Sequence, residues 1–345
     1  MRHTFLLVIL IFISYGFPVR GAEYESIGEL GDTLGLTNLE NPKKRNDIPG
    51  NRSLDKHISF AWENDLYYQH DYYFTNGFQI DIFHNKLQHS PINRILIPTR
   101  KKKEWDRYSG LQLRQEIFTP KDLATDTISA GDHPYSSTLT LAQVSVLNMP
   151  DRKIRIVSSL KLGVLGPASL GFRTQELAHQ VSNPSRPPQG WDYQLRNDLL
   201  INYDIQIEKG IVNNEIAFFG FTGKSRLGTL HTDLEAGLWF MLDARSGYFN
   251  RFGPSGDPGL NVVFQLSAGA RHVFYDATLQ GGIFNKTSLY VLTSDNLIRW
   301  IGNLDISLIF ELLEHQLEIY TQLATSRFHL AAPHGWMGIA YKYWF

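Results

Sequence analysis

Two groups of polar residues in this 345-residue chain have the types and spacing to do chemistry. The first is Glu63-Asn64-Asp65, followed by Thr75 within Asp71-Tyr72-Tyr73-Phe74-Thr75-Asn76-Gly77. Carboxylate, amide and hydroxyl oxygens are hard donors that suit calcium better than zinc. A cation held by Glu63, Asn64 and Asp65 could polarise an acyl carbonyl and stabilise a developing oxyanion. The same residue types favour turns through local hydrogen bonds. Strand alternation also puts Asn64 and Asp65 on opposite faces, so both serve one site only where the strand ends or bulges. The second group is Gln175 and His179, in a stretch from Arg173 to Val181 that reads as a short helix flanked by Gly and Pro. Their i, i+4 spacing places them on one helical face. An imidazole titrating near neutrality can take a proton from water in ester hydrolysis, and an adjacent amide can hold the water or the carbonyl. A rim histidine bonded to its own loop is the plainer reading of that spacing.

The elements that must position these groups follow from periodicity. From His57 onward apolar and polar residues alternate over long segments. Leu199, Ile201, Tyr203, Ile205 and Ile207 alternate with Asn202, Asp204, Gln206 and Glu208; Leu304, Ile306, Leu308 and Phe310 alternate with Asp305, Ser307 and Glu311. A sandwich would bury such an apolar face against a second sheet, whereas a membrane barrel turns it to lipid. Several runs reach the ~9–11 residues that a tilted strand needs to cross a bilayer, and the mean hydropathy of −0.23 suits half-polar spanning strands. The final alternation, Met337, Ile339, Tyr341, Tyr343 and Phe345, ends on an aromatic residue. A soluble protein ending on such an exposed strand risks edge-to-edge pairing. The fold class is therefore all-β, a transmembrane antiparallel up-and-down barrel. Its twelve expected strands span 57–65, 73–86, 106–118, 136–148, 153–164, 192–208, 213–223, 228–243, 261–273, 299–312, 315–326 and 335–345, with the short helix in an extracellular loop.

Composition narrows the rest. A net charge of −1 argues against a nucleic-acid partner. The absence of cysteine removes disulfides, thiol catalysis and cysteine–zinc sites. Arg2 and His3 precede an apolar run from Phe5 to Ile13, and small residues follow at Gly21 and Ala22. Residues 1–21 are thus expected to be a secretory signal peptide, 22–56 an irregular extension and 57–345 the barrel. With both termini in the periplasm, short turns fall after even-numbered strands. The connections 86–106 and 243–261 break that rule by their length, and the basic run Arg100 to Lys103 falls on the periplasmic side. The odd-numbered connections collect the unusual sequence on the opposite, extracellular rim.

Those connections carry Glu-Asn-Asp, Asp-Tyr-Tyr-Phe-Thr-Asn-Gly, Phe-Thr-Pro, Asp-His-Pro-Tyr, Leu-Gly-Val-Leu-Gly-Pro, Gln-x-x-x-His, Gly-Trp-Asp-Tyr-Gln and Tyr-Asp-Ala-Thr-Leu-Gln-Gly-Gly. In this order, from about His57 to Phe345, the series resembles the lipid A 3′-O-deacylase family of outer-membrane barrels. The resemblance implies a monomeric esterase of the bacterial outer membrane. It would hydrolyse the 3′-linked acyl chain of lipid A in lipopolysaccharide at the extracellular side, with Ca2+ as electrophile. His179 would activate water, Asn64, Asp65 and Thr75 would form the catalytic and calcium cluster, and Gln175 would support it. Lipid phosphates need basic partners, for which Arg114, Lys161 and Arg173 are candidates, although each could equally pair with a lumen carboxylate such as Glu116 or Asp204. The chain departs from the family in two places. Where relatives commonly read Asp-Arg-Pro-Tyr-Ala-Gly it has Asp132-His133-Pro134-Tyr135-Ser136-Ser137, and the stretch after His179 holds no carboxylate. A non-catalytic barrel, either a narrow pore or a structural protein, is the rival reading. A serine-nucleophile phospholipase ranks last, because Thr75 stands where its serine would be and no histidine lies two residues before it.

Overall fold

The computed structural model describes residues 56–69, 71–97, 105–182, 188–213, 216–243, 248–249, 251–254 and 258–345. The expected signal peptide and all but the last residue of the expected extension lie outside them, as do the side chains of residues 179, 181, 182 and 213. Twelve strands form: β1 (His57–Asn64), β2 (Tyr73–Phe83), β3 (Asp106–Thr119), β4 (Ser136–Met149), β5 (Ile154–Leu165), β6 (Asp198–Asn213), β7 (Ala217–Gly228), β8 (His231–Asp243), β9 (Asn261–Asp276), β10 (Trp300–Leu312), β11 (His315–Ala324) and β12 (His334–Trp344). Each pairs antiparallel with the next, and β1 pairs with β12, closing the barrel. The expected all-β, twelve-stranded barrel is the observed one, and the expected short helix forms in the β5–β6 connection. The largest boundary difference is at β6, which starts at Asp198 because Trp191–Tyr193 turn as a 3-10 helix and bury Trp191.

Alternation decides which side chains face where. Ile58, Phe60, Trp62, Ile82, Leu141, Leu162, Leu199, Ile201, Leu234, Leu308 and Ile339 are exposed on the outer wall. Their strand neighbours turn inward and are polar. Lys161 pairs with Asp204 at 2.7 Å, Lys224 with Glu235 at 3.4 Å, Arg226 with Asp233 at 2.5 Å and Lys342 with Glu318 at 3.7 Å. Inside a barrel without lipid contact, each such charge needs a partner, because an unpaired buried charge is costly.

The start of β1 and the end of β12 share one rim, the terminal rim; the connections after odd-numbered strands form the far rim. Both long connections on the terminal rim have a structural reason. Residues 84–97 fold back over the outer wall, where they cover Ser109, Gln143, Ser145 and Ser158. These are buried polar residues at outward-facing register positions. Asn93 accepts from Ser109 Oγ at 3.4 Å, and the Ile97 carbonyl accepts from Ser158 Oγ at 2.8 Å. Ile95 and Ile97 stay exposed, so the segment replaces a polar patch on the wall with an apolar surface. The described residues of the β8–β9 connection turn inward instead. Phe252 stacks on Tyr108 with ring centroids 4.2 Å apart, Arg251 bonds Asp243 at 3.1 Å and Glu311 at 3.3 Å, and Phe249 joins Phe218, Trp239, Met241, Val263 and Ile309 in a core cluster. The terminal end of the lumen is thereby plugged.

Candidate active site

The far rim beside β1 departs from regular pairing. Strand β1 stops at Asn64, since Asp65 adopts helical backbone angles (φ −96°, ψ −2°) and starts the 3-10 turn Leu66–Tyr68. On the adjacent strand the β2–β3 register passes from Phe74↔Phe118 to Asn76↔Ile117, so Thr75 bulges out of the ladder. A bulge re-aims side chains at a barrel rim. Thus the strand end and the bulge, the two devices that could reconcile Asn64 with Asp65, both occur here. Asn64 Nδ2 donates to the Thr75 carbonyl at 2.6 Å, and Asn64 Oδ1 accepts from Leu66 N at 2.7 Å. Thr75 is buried, and its hydroxyl donates to the Ile117 carbonyl at 3.3 Å. Gln69 (φ 58°) and Tyr73 (φ 62°) take left-handed backbone on either side of the turn. Such strain costs roughly 1–3 kcal/mol per residue and persists only where packing enforces it. For Tyr73 that packing comes from Leu279, Leu292, Leu297 and Phe328.

Asp65 is fully buried. Its Oδ2 accepts from Tyr72 N at 2.9 Å and lies 3.9 Å from His334 Nε2, while Oδ1 has no hydrogen-bond partner. Burial pushes the Asp65 carboxyl up to about 9, with Asp71 adding to the rise against the hydrogen bond from Tyr72 N. A carboxyl in this state holds a proton unless a cation takes its place. Glu63 is committed elsewhere. It points into the lumen, where Oε2 takes Arg114 at 2.5 Å and Oε1 takes the Tyr320 hydroxyl at 2.8 Å.

The second group sits on α1 (Gly171–Ser182), in the β5–β6 connection. The helix lies against the outer wall, over Gln115, Ile117 and Ser137, which occupy outward-facing register positions yet are buried. Gly171 makes this approach possible, since a Cβ there would lie 2.2 Å from Ser137. Just before the helix, Ser169 accepts from Gln115 Nε2 through its carbonyl at 2.5 Å and bonds Ser137 through its hydroxyl. Gln175 is 3% exposed; its Oε1 accepts from Trp191 Nε1 at 2.8 Å, and its Nε2 is buried without a partner. Trp191 packs with Ile117 and Tyr135, and Phe172 closes the cluster. Residue 179 lies one helical turn after Gln175, and its side chain is outside the described residues.

Asn64, Thr75 and Gln175 are therefore linked through Ile117, whose carbonyl meets Thr75 and whose side chain meets Trp191, whereas Asp65, next in the chain to Asn64, turns to Tyr72 and His334. Arg114 and Lys161 are not part of this group. Both face the lumen, Arg114 held by Glu63 and by Glu116 at 3.0 Å, Lys161 by Asp204. Arg173 is exposed on α1, 3.2 Å from Glu176. Sequence reasoning did not single out Trp62, which faces outward one register step from Asn64 and donates to Asn76 Oδ1 at 2.8 Å. Its outward parity beside the Glu-Asn-Asp motif was the available signal. Nor did it assign Trp191 its place under Gln175, although the Gly-Trp-Asp-Tyr-Gln motif was visible.

The departure at Asp132-His133-Pro134-Tyr135-Ser136-Ser137 is absorbed locally. His133 is buried parallel to Phe118, with ring centroids 5.3 Å apart, and its Nδ1 donates to the Pro134 carbonyl at 2.7 Å. Burial and the nearby Arg327 hold its pKa down to about 3, against the pull of the Pro134 carbonyl and Asp276. A guanidinium reaches the same Phe118 ring from Arg327, 5.5 Å from its centroid. Ser136 donates to the Thr278 carbonyl at 3.2 Å.

Calcium is the metal the resemblance implies. Asp65 and Asn64 fit it: Asp65 brings a buried, unpartnered oxygen, and the Asn64 carbonyl oxygen retains a second lone pair. Glu63 does not fit, being saturated by Arg114 and Tyr320. Among the described residues no cluster of three His, Cys, Asp or Glu forms a metal centre, so backbone oxygens or water would complete a shell of about 6–8 oxygens.

The closed barrel and the far-rim group define an outer-membrane β-barrel with a polar cluster on its outer wall. Comparison with known families is more specific: residues 43–345 match the family described as Outer membrane protein LpxR, and the chain belongs to it. The resemblance read from the motifs is borne out at that level. LpxR from Salmonella typhimurium is similar in fold, with 15% identity and a TM-score of 0.65 over 84% of this chain and all of that one. The β domain of the Bordetella autotransporter BrkA (11% identity, TM-score 0.46, 84% and 99% covered) and the COG4313 outer-membrane channel from Pseudomonas putida F1 (11%, 0.44, 87% and 100%) are more distant. No curated protein sequence matches the chain.

Proposed function

We propose that this protein is an esterase that removes the 3′-O-linked acyl chain of lipid A, working on the outer wall of the barrel at the extracellular side. The observation that carries the reading is the continuous run of contacts from Asn64 through Thr75 and Ile117 to Trp191 and Gln175. It joins Asn64 and Thr75 of the first group to Gln175 of the second on the face that a lipid would approach. His179 takes a proton from water as the water attacks the acyl carbonyl, and returns it to the departing sugar oxygen. Gln175 Nε2, a buried donor with no partner, orients the water or the carbonyl. Asn64, fixed by bonds at both ends of its amide, holds the wall in register beside Asp65. When bound at Asp65 and Asn64, calcium supplies Lewis-acid polarisation of the carbonyl. Of the three basic residues proposed to meet lipid phosphate, Arg173 has the outer-wall position this reading requires, whereas Arg114 and Lys161 serve the lumen. The plug of Tyr248, Phe249, Arg251 and Phe252 weighs against the pore alternative.

The test is mass spectrometry of lipid A from cells producing the protein or its His179→Ala variant. The wild type should yield lipid A lighter by the 3′-linked acyl group, and the variant unaltered lipid A with normal heat-modifiable migration. Unaltered lipid A from cells with folded wild-type barrel in the outer membrane would contradict the reading.

A further inference from the structure

The lumen below the far rim contains a cationic cavity that the outer-wall chemistry does not use. It measures about 220 Å³, and its wall includes Arg114, Arg226, Arg271, Arg327, Glu116 and Asp276. Three of the arginines are matched. Arg114 takes both Glu63 and Glu116, Arg226 grips Asp233 through Nε and Nη2, and Arg327 bonds Asp276. Arg271 is left over. It faces inward on β9, opposite Glu235 in the β8 register, yet the Glu235 oxygens go to Lys224 at 3.4 Å and Asn303 at 3.2 Å. Among the described residues Arg271 makes no hydrogen bond or ion pair, and its Nε is shut off from solvent. It also borders a second cavity, of about 110 Å³, whose wall holds the carboxylates of Glu235 and Asp305 beside Lys224 and Asn303 and so does not favour an anion.

A guanidinium presents a fixed planar fork of donors that matches the oxygens of phosphate two at a time. Leaving such a fork unmatched between charged neighbours is costly, and a mobile counter-ion removes the cost. The larger cavity, walled by the four arginines, has room for a tetrahedral ion with some of its water, a water occupying about 30 Å³. We propose that the lumen binds a phosphate-class oxyanion on Arg271, flanked by Arg226 and Arg327. The site is independent of the esterase reading. By bridging Arg271 on β9 to Arg327 in the β11–β12 connection, the anion ties together the rim segment that carries Phe328 against Tyr73.

The experiment is calorimetric titration of the full-length barrel folded in uncharged detergent, with inorganic phosphate in one arm and lipopolysaccharide micelles in the other. Sodium chloride at equal ionic strength is the control. Saturable phosphate binding by the wild type, weakened about tenfold or more in Arg271→Gln and less in Arg271→Lys, supports a free-anion site. Binding through Arg271 in the lipopolysaccharide arm alone supports the same chemistry with the phosphate carried on a lipid headgroup. Heat-modifiable migration verifies that each variant is folded, and an unfolded Arg271→Gln leaves Arg271→Lys as the deciding variant. Equal response to chloride, no saturable binding in either arm, or equal affinity in the substituted and native barrels overturns the proposal. Lipid A processing should be unchanged in Arg271→Gln, which separates this site from the outer-wall chemistry.

Discussion

The side-chain amide of Asn64 is bonded to the main-chain carbonyl of Thr75 at 2.6 Å, across the gap where β1 ends and β2 bulges. This one bond ties an outward-facing side chain, next in the chain to the candidate calcium ligand Asp65, to the irregular backbone of β2. Asn64→Ala should leave the barrel folded and lower deacylation by roughly 10²–10³-fold, the scale for losing one positioned polar group in an acyl-transfer site. Activity within a few fold of wild type would remove Asn64 from the chemistry.

Trp191→Phe should separate support from chemistry at Gln175. Loss of the indole N–H leaves Gln175 Oε1 buried without its donor, which costs about 1–3 kcal/mol. The expected result is a lower Tm together with reduced deacylation, and Gln175→Leu should restore the Tm without restoring activity. Recovery of both would mean that Gln175 only packs the helix.

The docking of α1 predicts an epistatic pair. Gly171→Ala drives a methyl into Ser137 and should destabilise by about 1–3 kcal/mol, the usual range for overpacking. Ser137→Gly should recover most of that loss in the double variant, as coupled neighbours do. Additive losses in thermal unfolding would show that the helix does not rest on Ser137.

His133 gives a pH dependence with a definite sign. Its folded pKa is depressed to about 3 from an ordinary value of 6.5, so between those values the unfolded chain binds more protons than the folded one. Stability from this group is therefore full above about pH 6.5 and falls as the pH drops toward 3. Unfolding midpoints measured from pH 7 to pH 4 should decline less steeply in His133→Phe than in the wild type. Parallel curves would mean that the ring is not protonation-linked to folding.

Much of this architecture was legible from the period-two pattern, because lipid outside and ion pairs inside leave little choice at each strand position. Ile58, Phe60 and Trp62 face outward while Ser59, Glu63 and Asp81 face inward, as alternation demands. The pattern failed where something covers the wall. Gln143, Ser145 and Ser158 look misplaced on a lipid face until residues 84–97 are seen to lie over them. Alternation records which side a residue faces, not what lies against it. The same limit applies to Glu63, whose oxygen chemistry suited calcium but whose inward position gave it to Arg114. Arg114 and Lys161 were legible either as lipid-phosphate contacts or as partners of lumen carboxylates such as Glu116 and Asp204, and those carboxylates hold them, Glu116 from the same strand and Asp204 from the next. The bulge at Thr75 has no local sequence mark, since it arises from pairing with β3.

Purified barrel mixed with lipopolysaccharide micelles, with and without a calcium chelator, tests the central claim most directly when the lipid A is weighed by mass spectrometry. The wild type should release the 3′-linked acyl chain with calcium and stop in chelator. Asp65→Ala should release none in either condition while keeping native heat-modifiable migration. Equal acyl release by wild type and Asp65→Ala, indifferent to chelation, would contradict the account.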